Sequence, residues 1–184
     1  MCHYSRVKSE PRILAKGRYL TLVDDNGWEY VTRTSVTGVV VIVAVTTDEK
    51  LVLVEQYRPA VRKRVIELPA GLVGDIDGQR DESMLDAAAR ELEEETGYHA
   101  GALRLLFEGP IAVGVSDEVV SFFLASGLIR VGAGGGDETE DITVHEVPLA
   151  ELNAFLAARA AAGLGVDLKI YAGLFAAGVA LPSG

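Results

Sequence analysis

Three of the four glutamates at 91–95, Glu91, Glu94 and Glu95, are the side chains in this sequence best suited to chemistry. If the stretch 82–98 (ESMLDAAARELEEETGY) is helical, Glu91 and Glu95 stand about one turn apart and their like charges repel. Glu94 adds to the repulsion, and carboxylates near the C-terminal end of a helix oppose its dipole. A helix chosen for stability alone would avoid this arrangement. A hard divalent cation relieves it, because Mg²⁺ takes carboxylate oxygens and keeps waters for a phosphate-bearing ligand. An acidic run by itself reads better as a solvated face; what argues for a site is the spacing around it.

The spacing predicts a helix over 82–98. Leu85, Ala88, Leu92 and Thr96 recur at steps of three or four and form an apolar stripe. The acidic residues fall on the opposite side, with Arg90 on their flank. Ser83 and Asp86 have the separation of a capping box, and Gly97 is placed to end the helix.

Glu82, seven residues, Arg90-Glu91-Leu92, one residue, Glu94-Glu95, one residue and Gly97-Tyr98 together resemble the latter part of the Nudix box. The first glycine departs from that pattern, since Ile76 stands where it is due. The nearest fit is Gly71 in Leu68-Pro69-Ala70-Gly71, with ten residues before Glu82 instead of five. The run GDIDGQRD therefore reads as holding a polar surface insertion of five residues. Gly114-Val115-Ser116-Asp117-Glu118 resembles a loop of the ADP-ribose pyrophosphatase branch, with Val113 in place of the usual proline. Arg58, in Glu55-Gln56-Tyr57-Arg58-Pro59, resembles that branch's substrate-facing arginine, and Glu67 before Leu68-Pro69 also fits its pattern.

The resemblance implies an α/β fold: a Nudix α/β/α sandwich over 38–184 with an added N-terminal antiparallel sheet at 12–34. That sheet lies in an N-terminal unit, 1–37, which in this branch commonly exchanges between subunits of a dimer. It implies Glu91 and Glu95 as direct ligands of Mg²⁺, with Mn²⁺ as a substitute. Glu94 would be a ligand or an outer acceptor, Glu82 an outer carboxylate, and the Ala70 carbonyl a further ligand. Arg90 would orient a carboxylate, its alternative being a surface ion pair. Glu118 would take a proton from water, and Arg58 and Glu67 would face the substrate. The implied reaction is hydrolysis of the diphosphate of ADP-ribose or a nucleoside diphosphate sugar, giving a nucleoside monophosphate and a sugar phosphate. Hydrolysis of nucleoside triphosphates, and a non-catalytic domain that senses a nucleotide sugar, are the alternatives.

Composition sets the outer limits. The chain of 184 residues suits one domain with a sizeable core, and 49% apolar with 24% charged residues is ordinary for a globular protein. A net charge of −10 argues against a nucleic-acid partner and for a small anionic substrate met through cations and local arginines. Cys2 is the only cysteine, so no internal disulfide forms. The N-terminus carries no apolar signal core, and the run 170–181 is too short to cross a bilayer. A cytoplasmic protein with no membrane partner is the expectation.

The elements that must position these residues follow in order. Residues 1–11 read as loose. Strands are predicted at 18–24 and 28–34 around an Asp25-Asn26-Gly27 turn. Because an isolated hairpin is marginal in water, this pair needs the main domain or a second subunit to pack on. Strands follow at 38–45 (the central one, almost continuously apolar), 51–56 and 62–68. After the acidic helix come strands at 103–108, 118–125 and 142–147. A loop is predicted at 111–117 and a Gly-rich acidic loop at 131–141, and helices at 148–162 and 167–179. The acidic run 137–141 reads as a solvated loop, its alternative being a metal-binding one, and the basic run Arg62-Lys63-Arg64 as solvated, its alternative being a lining of the site's mouth; His145 reads as structural, and His3 and His99 carry no signal.

Overall fold

The computed structural model describes residues 10–34, 36–74, 80–136 and 140–179. Cys2, His3, residues 75–79 of the run GDIDGQRD and the acidic positions 137–139 lie outside the described residues. Two four-stranded sheets form the body of the protein. The first contains β4 (Gly38–Ala44), β7 (Ala70–Val73), β8 (Tyr98–Pro110) and β9 (Val119–Arg130) in the order β7-β4-β9-β8, with β4 and β9 parallel. The second contains β5 (Lys50–Arg58), β6 (Lys63–Glu67), β10 (Thr143–Pro148) and the short β11 (Gly165–Val166) in the order β10-β5-β6-β11. Three helices cover them: α1 (Met84–Thr96), α2 (Leu152–Ala161) and α3 (Lys169–Ala177).

β4 shows why the domain is layered. Successive strand side chains point to opposite faces. Val41 and Val43 enter one core with Leu53, Ile66, Leu156 and Leu174, while Val40 and Ile42 enter a second with Ala88, Leu92 and Phe123. All four valine and isoleucine side chains are fully buried. A strand covered on both faces must be apolar throughout, which is what the run Gly38–Ala44 supplies. The result is the α/β/α sandwich expected from the resemblance.

The N-terminal antiparallel sheet is present and has three strands, not two: β1 (Arg12–Lys16), β2 (Leu20–Asp25) and β3 (Trp28–Arg33). β1 was not among the predicted strands: its five residues, RILAK, carry no alternation to mark them, and pairing with β2 makes them one. The sheet packs on its own chain. Val31 donates its N–H to the Val115 carbonyl at 2.8 Å and bridges to Ser116.

Other boundaries moved for the same kind of reason. β8 begins at Tyr98, well before 103, because its Ala- and Gly-rich start pairs with the end of β9. Ala70–Val73 forms a strand beside β4, and Pro148 closes β10, so a 3₁₀ turn at Leu149–Glu151 precedes α2. α1 is capped as expected: Ser83 accepts from the Asp86 N–H, and Gly97 takes a left-handed conformation at φ 73°. Its buried face is rotated from the predicted one. Leu85 is 48% exposed, while Ala87, Ala88, Leu92, Glu95 and Thr96 are buried. The two alanines let the helix approach the sheet closely, which turns Leu85 outward. Among the described residues no helix is long and apolar enough to cross a membrane.

Candidate active site

α1, the β6–β7 connection and the N-terminal sheet meet around a cleft of about 930 Å³. Its size is within the range of small-molecule sites. Of the residues predicted to form a site, Glu91, Glu94, Glu95, Arg90, Ala70, Arg58, Glu67 and Glu118 all line it. Glu82 does not; it lies behind Arg90.

Arg90 organises the acidic cluster. Its Nε and Nη2 donate to the two oxygens of Glu82 at 2.9 and 3.1 Å, and its Nη1 donates to Glu91 at 2.9 Å and Glu94 at 3.0 Å. A further bond from Nη2 reaches the Leu72 carbonyl at 3.1 Å, tying α1 to β7. The paired guanidinium, its hydrogen bonds first, keeps the Glu82 carboxyl below its usual range. The repulsion inferred from the sequence is thus met in part by a cation from the same helix.

Glu95 is placed differently. The sequence put it on the solvent side, but it is 2% exposed and sits in the buried stripe of α1. One of its oxygens accepts the Ala70 N–H at 3.0 Å. Burial raises its pKa, the Glu91 and Glu140 charges add to this, and the outcome is a value of about 8 despite the Ala70 bond. A carboxylate kept out of water beside two others is a strong reason for a cation to bind. The donor set, carboxylates and a backbone carbonyl, is all oxygen and suits a hard divalent ion. Among the described residues no three acidic or imidazole groups already surround one point at ligand distance.

Gly71 is required by close approach. A Cβ there would stand 1.8 Å from Cδ of Glu91. We expect Gly71→Ala to push the Glu91 side chain off its position and lower activity by about tenfold or more. Circular dichroism would show the fold retained, since Gly71 lies at the cleft and not in either core.

Arg58 and Glu67 pair with each other. Nε and Nη2 of Arg58 donate to the two Glu67 oxygens at 2.6 and 2.7 Å, and Glu67 is 4% exposed. This fork-to-fork geometry, more than any other contact, holds the arginine charged and fixes the plane of its guanidinium. Each Glu67 oxygen accepts one bond from Arg58, and Glu67 also lines the cleft.

Glu118 receives a hydrogen bond and ion pair from Nε of Arg33, the last residue of β3. Asp117 is exposed and does not line the cleft. The Gly-rich segment after β9 closes on the end of α1, where Gly135 and Gly136 donate to the Glu95 and Glu94 carbonyls at 2.8 and 3.1 Å. A Cβ on Gly134 would stand 2.4 Å from the Thr96 backbone, so only glycine fits. The segment then brings Glu140 into the cleft. Sequence reasoning did not single out Glu140, having preferred a solvated loop over a metal-binding one for the run 137–141. The glycines that dock the segment were the available signal. Nothing in the sequence singled out Arg33, Asp167 or Lys169, which also line the cleft.

Within the basic run, Lys63 lines the cleft while Arg64 turns to Glu55 and Asp141, at 2.7 and 2.8 Å. His145 contacts Glu55 at 2.9 Å and lies against the Phe155 ring, a structural place. His99 pairs with Glu93 on the surface.

The chain is similar to several known proteins. The chain is 36% identical over 115 residues to a methanol dehydrogenase activator of Bacillus methanolicus, covering 62% of this chain and 60% of that one. It is 40% identical over 115 residues to an ADP-ribose pyrophosphatase of Mycobacterium tuberculosis (62% and 54%), and 35% identical over 122 residues to a GDP-mannose pyrophosphatase of Escherichia coli (62% and 61%). The matched stretch thus spans between about half and three fifths of these relatives. A crystal structure of an ADP compounds hydrolase superposes with a TM-score of 0.66 at 25% identity, covering 94% of this chain and 95% of that one. The NUDIX domain family matches residues 36–164, from β4 through α2 and with every box glutamate inside it, and the chain belongs to that family.

Proposed function

We propose that the protein hydrolyses the diphosphate bond of ADP-ribose or a nucleoside diphosphate sugar, releasing a nucleoside monophosphate and a sugar phosphate. The observation that carries this reading is the buried Glu95 beside Glu91, in one cleft with an arginine fixed for phosphate. Relatives named as ADP-ribose and GDP-mannose pyrophosphatases support the substrate class.

Glu91, Glu95 and Glu94, with the Ala70 carbonyl, would hold a divalent cation, Mg²⁺ first and Mn²⁺ as a substitute. Bound there, the ion would neutralise a diphosphate and ease deprotonation of water. Arg90 gathers the carboxylates. Arg58, held by Glu67, binds a phosphate oxygen through its remaining N–H groups. Proton removal falls to a carboxylate outside the helix. Glu118 is our assignment, and Glu140, whose charge acts on Glu95, is the rival. The test is a panel of nucleoside diphosphate sugars and ADP-ribose with Mg²⁺, products resolved by chromatography. Release of pyrophosphate from triphosphates alone would overturn the reading in favour of a triphosphate hydrolase. Binding without turnover would favour a sensing domain, a reading given weight by the relative named as an activator.

The 1–37 unit is assigned as a substrate-side and dimer-forming element, in a protein of the cytoplasm. Ile13, Tyr19 and Trp28 leave a largely exposed apolar surface on its sheet, which a second copy would cover. Sedimentation at micromolar concentration should give about 39 kDa, twice the chain mass of 19.6 kDa. A clean monomer refutes the dimer.

A further inference from the structure

We propose that Arg64 is a positioning residue of the site: from outside the cleft it fixes the segment that carries Glu140 into it. This rests on the reading of the cleft as a diphosphate site and adds to that reading a residue that does not itself face the ligand.

Strand alternation turns Arg64 away from the cleft. Its neighbours on β6, Lys63 and Val65, line the cleft, and Arg64 between them does not. Any effect it has on the reaction must therefore pass through another residue. On its own side of the sheet, its guanidinium ties β5 to the segment that enters β10. Nε donates to Oε1 of Glu55 at 2.7 Å, and Nη2 donates to the Glu55 carbonyl at 3.0 Å. Nη1 donates to Oδ2 of Asp141 at 2.8 Å, and Nη2 also reaches the Asp141 carbonyl at 3.2 Å and Oγ1 of Thr143 at 3.3 Å. Glu55 is itself held, since its second carboxylate oxygen meets Nε2 of His145 at 2.9 Å. The arginine thus stands on a fixed base and grips the residue next to Glu140 by both side chain and main chain.

Glu140 has an anchor on either side. Upstream, the Gly135 and Gly136 N–H groups hold the segment to the end of α1. The Glu140 carboxylate lies against Gly136, where a Cβ would stand 2.3 Å from its Oε2. Downstream, the anchor is Arg64. Glu140 lines the cleft and Asp141 does not, so the grip on Asp141 sets the side to which Glu140 points. Stability is not what this grip supplies. The Asp141 side chain is 87% exposed, and an ion pair in that much water contributes little. Five bonds converging on one planar group supply direction instead. A carboxylate that acts on a bound diphosphate or its water needs direction, because a misplacement of about 1 Å costs up to about 10²-fold in rate.

The test is a cycle of turnover measurements with Mg²⁺ on whichever of ADP-ribose and the nucleoside diphosphate sugars the wild type hydrolyses fastest. The proteins are the wild type, Arg64→Ala, Glu140→Gln and the double variant. Arg64→Ala should lower kcat by about tenfold or more while KM moves less than about twofold, because Arg58 and the α1 carboxylates are untouched. In the Glu140→Gln background the same substitution should cost less than about twofold, since the residue it positions is already disabled. Asp141→Ala cuts the grip from the solvent side and leaves Glu55 paired; it should melt as the wild type does and lower kcat by about threefold. In the cation-free protein, hydrogen exchange over 140–143, read by mass spectrometry, should quicken about tenfold in Arg64→Ala. An unchanged kcat for Arg64→Ala, an equal fall in both backgrounds, or unchanged exchange overturns the positioning role while leaving the cleft's function standing. Failure of the wild type to hydrolyse any of these substrates overturns the reading of the cleft, and the positioning role with it.

Discussion

Glu95→Gln should remove most turnover, by about 10²- to 10³-fold, while leaving the fold intact. The loss is that of one anionic ligand from a site where a cation is asked for several kcal/mol of charge stabilisation. The same substitution should stabilise the cation-free protein. The folded Glu95 carboxyl has a pKa of about 8 against an ordinary 4.5, so between those values the folded chain keeps a proton that the unfolded chain has lost. Where the folded state binds more protons, stability falls as pH rises. In chelator, the wild-type melting temperature should therefore drop from pH 5 to pH 9, by roughly 5–10 °C. Glu95→Gln should flatten that slope and melt higher than wild type at pH 9. Full wild-type activity in excess chelator, or a flat wild-type profile, would sink the account.

Glu118→Gln should lower kcat by about 10²-fold or more, within the usual worth of general base catalysis. The box glutamates are poor acceptors if their lone pairs hold a cation, so the acceptor should come from another segment. Two segments supply one, the loop before β9 and the Gly-rich segment after it. Glu140→Gln is the decisive companion. If it alone abolishes kcat and Glu118→Gln leaves kcat near normal, proton removal belongs to Glu140 and Glu118 serves only as the partner of Arg33. Asp117→Asn should be mild in either case, because Asp117 lies outside the cleft.

The box helix was legible because its signals are local: cap, periodicity and terminal glycine all lie within the stretch they govern. β4 was legible because burial on both faces leaves a continuous apolar run. What was not legible depends on partners distant in sequence. Whether Glu95 faces water or the core is set by the rotation of α1 on the sheet, which the alanines allow but do not announce. That Glu67 meets Arg58 is a contact between two strands, nine residues apart in the chain, which neither residue's local sequence announces. Glu140 enters the cleft because three glycines dock a segment against the end of α1, some 40 residues away in the chain.

The Arg90 hub bears on how such a protein is born and kept. In a zinc finger the ion is the organising centre, and the chain has no structure without it. Here a resident guanidinium already draws Glu82, Glu91 and Glu94 together and fastens them to β7. The chain leaving the ribosome can reach its final shape before any metal arrives, and afterwards exchange ions with its surroundings without coming apart. On the proposed reading, scarcity of the cation would idle the protein without unfolding it, and its return would restore function at the speed of diffusion instead of the speed of refolding.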